Sequence, residues 1–185
     1  KGYYPYTGIP GHEFVGEVIE VGSKYSGWIG KRVVGEINLT CGGCSACLRG
    51  DITHCEKRRV LGIMGQLGVF ASLVTLPIKN LHQVPNSVPD ESAVFCEPLA
   101  AAIEILEQVH LHPTDRVLII GAGRLGQLIA QVIAKTDCEV QVVARHAFQR
   151  EILSQRGIAC VDVGQVTARW ADIGIEAPGA PEGFF

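Results

Sequence analysis

Val117-Leu118-Ile119-Ile120-Gly121-Ala122-Gly123-Arg124-Leu125-Gly126 is the stretch on which the fold turns. Its first four residues are an apolar, β-branched run stopped by glycine, which reads as a buried strand over Arg116–Ile120. Leu125, Leu128, Ile129, Val132 and Ile133 then recur at helical spacing, so a helix over Arg124–Thr136 opens directly after the turn. Gly121, Gly123 and Gly126 form G-x-G-x-x-G. Between a strand and a helix this is a dinucleotide-binding fingerprint. Gly121 permits the turn, Gly123 lets a pyrophosphate approach the backbone, and Gly126 lets helix and strand pack closely. Unpaired N–H groups at the helix start face the anion. Gly121, Gly123, Arg124, Leu125 and Gly126 are therefore the candidate phosphate-binding residues.

Working outward, Val140–Val143 reads as the next strand. An acidic residue at its end would hold the ribose hydroxyls of NAD. Ala144, Arg145 and His146 stand there instead. A guanidinium suits a 2′-phosphate, which a carboxylate would repel, so these three residues point to NADP rather than NAD. Phe148–Arg156 reads as a helix, and Ile158–Val161 and Ile173–Glu176 as strands. Such alternation predicts a parallel sheet with right-handed crossovers. On the N-terminal side, Asp90–Cys96 reads as a short helical turn. A helix follows from Pro98, with Leu99, Ile103, Leu106 and Val109 as its apolar positions. Cys96 reads as a buried apolar filler.

The first half has a different character. Phe14–Val21, Arg32–Ile37, Val69–Leu76 and Leu81–Val84 read as strands. From them hangs a lobe with Cys41, Cys44, Cys47 and Cys55 in a C-x2-C-x2-C-x7-C array. Thiolates at this spacing turn their sulfurs to one point, as four-coordinate Zn2+ requires, and Gly42, Gly43 and Gly50 let the backbone curl around an ion. An iron–sulfur run has a shorter last gap and a proline after its fourth cysteine, whereas Glu56 follows Cys55. Four thiolates close the coordination shell, so a zinc here is structural.

Composition removes other classes. The chain has 185 residues, with 16 Lys and Arg against 19 Asp and Glu, a formal charge of −3. It thus has no global field for nucleic acid or a membrane surface. Hydrophobic residues at 47% against 19% charged indicate a folded chain. No run approaches the ~18 apolar residues of a membrane span. Seven cysteines, an odd number, and no secretory signal argue against a disulfide framework and for a cytoplasmic location.

Taken together, Gly11-His12-Glu13-Phe14-Val15-Gly16, Gly30-Lys31-Arg32-Val33-Val34, the four-cysteine lobe, Glu97-Pro98-Leu99 and the glycine fingerprint resemble the zinc-containing medium-chain dehydrogenase/reductase family. That family includes alcohol, polyol and threonine dehydrogenases. The resemblance implies an α/β chain with a β-rich part: a partial GroES-like catalytic domain over residues 1–97, with its zinc lobe at 41–55, and a partial Rossmann dinucleotide-binding domain over residues 98–185. It implies that His12 and Glu97 are ligands of a catalytic zinc, and that Glu13 is a ligand or supports one. It further implies a small alcohol or carbonyl substrate, NADP or NAD as hydride carrier, and a homo-oligomer when complete.

Two departures stand out. The family has a cysteine ligand before its G-H-E motif, and no cysteine precedes His12. Ile175-Glu176-Ala177-Pro178-Gly179 resembles the family's E-A-T-G segment with Pro178 in place of threonine. With its start at Lys1 and its Phe184-Phe185 end, the chain reads as about half of a longer enzyme. Two other readings stay open: a zinc-stabilised nucleotide-binding fragment without turnover, and a zinc-independent quinone or enoyl reductase of the same superfamily.

Overall fold

The structure, a computed structural model, describes residues 6–177. The chain divides into two compact units, Lys1–Glu97 and Pro98–Phe185. In the first unit β1 (Gly16–Glu17), β2 (Arg32–Gly35), β3 (Asn38–Leu39), α1 (Ser45–Leu48), β4 (Arg59–Leu61), β5 (Gly65–Gln66), β6 (Leu81–Gln83) and α2 (Asp90–Ala93) follow in order, and α3 (Cys96–Gln108) begins at its end. The second unit holds β7 (Arg116–Ile120), α4 (Arg124–Ile133), β8 (Glu139–Val143), α5 (Ala147–Ser154), β9 (Ala159–Val161) and β10 (Ile173–Glu176).

Two three-stranded sheets build the first unit, in the orders β1-β2-β6 and β3-β4-β5. β2 is central to the first and pairs antiparallel with both neighbours. Its Val33 and Val34 are buried, and Val34 meets Val84 and Ala93 in a small core. The second unit is one parallel sheet in the order β10-β7-β8-β9. The chain starts in the middle, moves two strands one way, then returns to the other side of β7. A ligand in such a sheet binds where the order reverses, at the carboxyl end of β7.

The second unit's core joins Val117, Ile119, Val142, Ile129, Ile133 and Leu153, with Ala102 of α3 against it. Each fully buried Leu, Ile or Val contributes roughly 1.5–3 kcal/mol relative to exposure. This explains why β7 reads as a continuous apolar run: both of its faces are covered. Among the described residues no helix is long and apolar enough to cross a membrane.

Several elements differ from the sequence reading. Val69–Leu76 forms no strand, and only Gly16–Glu17 of Phe14–Val21 joins a ladder. The two segments flank a groove of about 480 Å3 lined by Val15, Val18, Val69 and Leu76 among others. Apart from Gly16–Glu17 neither segment finds a ladder partner, and β propensity alone does not make a strand. α3 begins at Cys96, not Pro98, and Pro98 is tolerated in the first turn because no intrahelical N–H donor is needed there. Its buried positions are Ala102 with Ile105 and Leu106 beside it, whereas Leu99, Ile103 and Val109 are exposed. Cys96 is exposed rather than buried. α4 ends at Ile133, where Thr136 turns its hydroxyl back onto the Ile133 carbonyl at 2.7 Å. Pro178 and Gly179 lie outside the described residues.

Candidate functional site

The cysteine lobe is a tight backbone coil. Cys44 caps α1, Gly42 and Gly50 adopt left-handed φ of 75° and 84°, and Cys55 follows the short helical turn Ile52–His54. Gly43 needs no such conformation. The four sulfurs lie within 4.8 Å of one another. Thiolates bound to one zinc at about 2.3 Å stand about 3.8 Å apart in a tetrahedron, so little contraction would be required. Backbone N–H groups already point at the sulfurs, including that of Cys41 toward Cys55 Sγ at 3.4 Å. Backbone N–H groups of Gly43 and Cys44 hold the Cys41 thiol below its usual range. Those of Cys47 and Glu56 bring Cys44 down to about 6. Burial first, and the Cys44 sulfur next, push Cys47 up to about 11. Clustered sulfurs do not all ionise unaided; a divalent cation supplies the missing charge. The donor set fits Zn2+.

A second constellation lies in the same unit. His12, Glu13 and Glu97 each offer a ligand atom, and these atoms lie within 4.8 Å of one another. His12 and Glu13 come from the loop before β1, and Glu97 from the first turn of α3. Burial raises the Glu97 carboxyl above the usual range; His12 opposes this, while Glu13 and Glu36 add to it by repulsion. Three carboxylates around one imidazole leave excess negative charge, which a divalent cation would balance. One nitrogen and two carboxylate oxygens suit zinc with a fourth position open. Glu36 was not among the residues read from sequence. It accepts hydrogen bonds from the Asn38 N–H and Nδ2, both at 2.7 Å. Asn80, buried behind it, donates to the Glu36 and Asn38 carbonyls at 2.9 and 3.0 Å. A buried asparagine shows no sequence periodicity that could have singled it out.

In the second unit the glycine turn has the form its pattern implies. Gly121 has φ 104°. A Cβ on Gly126 would stand 2.1 Å from the Gly121 carbonyl oxygen, so helix and strand are in contact there. A Cβ on Gly123 would meet nothing within 4 Å, which leaves open space at the N-terminus of α4 for a phosphate. Arg124 and Leu125 are exposed beside it. Gln127 Nε2 donates to the Gln149 carbonyl at 3.1 Å, tying this helix to α5. At the end of β8, Ala144 is 1% exposed, while Arg145 and His146 are exposed. Arg145 makes no ion pair or side-chain hydrogen bond among the described residues. His146 donates its N–H to Gln149 Oε1 at 3.2 Å and stacks on Phe148.

Residues 1–86 match the family model of the alcohol dehydrogenase GroES-like domain, and residues 117–180 match that of ketopantoate reductase PanE/ApbA. Sorbitol dehydrogenase of Halalkalibacterium halodurans is 38% identical over 136 residues, which cover 71% of this chain and 39% of the relative. L-threonine 3-dehydrogenase of Pectobacterium atrosepticum is 31% identical, covering 97% of this chain and 53% of the relative. Among solved structures, a zinc-binding dehydrogenase from Sinorhizobium meliloti bound to NADP superposes with a TM-score of 0.87 at 29% identity, over 97% of this chain and 57% of its own. An alcohol dehydrogenase from Escherichia coli complexed with NADH gives 0.86 at 28%, over 96% and 56%. The chain spans about half the length of the curated relatives it matches.

A GroES-like unit followed by a Rossmann-type parallel sheet defines a medium-chain dehydrogenase/reductase. The chain is similar to that family, and in particular to its alcohol, polyol and threonine dehydrogenases and zinc-binding dehydrogenases.

Proposed function

We propose that the chain serves a zinc-dependent oxidoreductase that passes a hydride between an alcohol or polyol and a nicotinamide cofactor, with NADP preferred over NAD. The observation that carries this reading is the convergence of His12, Glu13 and Glu97 within 4.8 Å in a chain that also carries a glycine turn open at Gly123. Bound zinc would supply Lewis acidity toward the alcohol oxygen, and bound nicotinamide the hydride chemistry.

The chain's own residues do the rest. His12, Glu13 and Glu97 would hold the catalytic ion and leave one position for substrate. Partial burial of Glu97 limits the water that competes for that position. The Gly121–Gly126 turn would receive the pyrophosphate on backbone N–H groups, and Arg145 would hold the 2′-phosphate through paired, charge-assisted hydrogen bonds. Cys41, Cys44, Cys47 and Cys55 would keep a second zinc that orders the lobe and takes no part in turnover. Free thiols throughout the described chain support a reducing, cytoplasmic setting.

Metal analysis, cofactor binding and alcohol oxidation test this together. Two zinc ions per chain are expected, with His12→Ala losing one ion and any turnover, and NADPH binding more tightly than NADH. One ion that His12→Ala leaves in place would favour the zinc-stabilised binding chain without turnover. Tighter NADH binding would overturn the cofactor assignment.

A further inference from the structure

His12 and Glu13 stand in a loop, outside any helix or strand. Two ligands on a loop reach a common point only if the backbone beneath them is held. Here it is clamped by a second stretch of backbone. The N–H groups of Gly68, Val69 and Phe70 donate to the carbonyls of Ile9, Gly11 and Pro10 at 2.6, 3.0 and 3.0 Å. A Cβ on Gly68 would stand 2.3 Å from the Gly11 carbonyl oxygen and 2.5 Å from the Pro10 carbonyl. A Cβ on Gly62 would stand 2.1 Å from the Gly11 oxygen and 2.7 Å from the Gly11 nitrogen. These neighbours are main-chain atoms and have no rotamer by which to withdraw. Gly11 itself has φ 96°, and the Phe70 ring lies 2.4 Å from where its Cβ would be.

We propose that Gly62 and Gly68, with the Phe70 ring, are positioning residues for the candidate metal site. They press the Ile9–Gly11 backbone into place so that His12 and Glu13 come within ligand reach of Glu97. The inference rests on the metal reading above and adds residues that touch neither ion nor substrate. It requires that a methyl group at either glycine shift the loop by displacing Gly11, and so weaken the second ion while sparing the four-thiolate one. Gly65 supplies the comparison. It has φ 65° on β5, but its Cβ would meet only the flexible Arg59 side chain, at 3.3 Å. Gly65→Ala therefore carries left-handed strain without touching the loop.

The experiment is cobalt titration of the whole chain and its variants, followed by absorption. The four-thiolate site reports through sulfur-to-metal charge transfer, and the His12 site through ligand-field bands without it. The wild type is expected to take two ions. Gly68→Ala and Gly62→Ala should keep the charge-transfer band, which shows that the lobe is folded, and bind the second ion about tenfold or more weakly. Phe70→Ala alters an exposed ring with no backbone clash and should weaken the second ion several-fold in a chain that folds. Gly65→Ala should melt earlier yet bind both ions as the wild type does. Second-ion binding unchanged in Gly68→Ala and Phe70→Ala overturns the inference and leaves the metal reading standing. Equal weakening in Gly65→Ala also overturns it, because the effect is then general destabilisation. A wild type that takes only the four-thiolate ion overturns the metal reading and this inference with it.

Discussion

Ala144 and Arg145 are neighbours with opposite environments. Ala144 packs in the sheet core and Arg145 points to solvent. A carboxylate at 144 would be buried without a partner, so of the two positions 145 is the one at which to test the proposed cofactor preference. Arg145→Asp is expected to weaken NADPH binding about tenfold to a hundredfold while changing NADH binding far less, as read by fluorescence titration. Cys44 offers a second test at this scale. Backbone N–H groups of Cys47 and Glu56 bring its thiol down to about 6. Cys44→Ser should lower zinc content and melting temperature and leave nucleotide affinity unchanged. Unaltered zinc in the serine variant would remove Cys44 from the ligand set.

At the scale of elements, the β7–α4 contact separates packing from binding. Gly126 is where the helix touches the strand turn, and Gly123 is where the turn faces open space. Gly126→Ala should cost about 1–3 kcal/mol of stability by overpacking, and lose nucleotide binding with it. Gly123→Ala should melt as the wild type does and still lose nucleotide affinity, because its methyl group would occupy the phosphate's place. Urea melts alongside NADPH titration check both. The bounds of β7 and β10 were legible because each follows a local pattern, an apolar buried run in β7 and alternating half-buried Ile173 and Ile175 in β10. The strand expected over Val69–Leu76 was not, since a strand exists only with a hydrogen-bonded neighbour. α3 shows a related limit: period 3.6 located a helix, but the face it buries is chosen by what packs against Ala102.

For the whole molecule, two ion pairs tie elements of the second unit, the start of β7 to the approach to β10 and α5 to the end of β9. Asp172 accepts from the Arg116 N–H and Nε at 3.0 and 3.1 Å, and Asp162 accepts from Arg150. The arginines hold both carboxyls below the usual aspartate range. Their stabilisation is therefore present above the unfolded value of about 4 and lost as pH falls through the lower folded value. Both pairs are solvent-exposed, so the effect is small. Asp172→Asn should flatten the acid limb of stability, seen as a smaller difference between urea midpoints near neutral pH and at about pH 3. Metal removal should act on the other unit. After chelation, amide exchange protection should fall across residues 41–61 and persist across 117–161, because the second unit's core is apolar and owes nothing to zinc.

The sequence by itself determined what is written in short-range patterns: the parallel βα alternation, the glycine turn, and the four cysteines whose spacing alone brings sulfurs together. These depend on contacts within a few residues, where periodicity and backbone freedom carry the information. Tertiary structure decided the rest. It set Ala144 inside and Arg145 outside, left Val69–Leu76 outside any ladder, exposed Cys96, and brought His12 and Glu13 to Glu97 from opposite ends of the first unit. The Gly62–Gly11–Gly68 approach belongs to the same class. Such features are meetings of segments far apart in the chain, and no local spacing encodes which distant backbone will arrive beside a given residue.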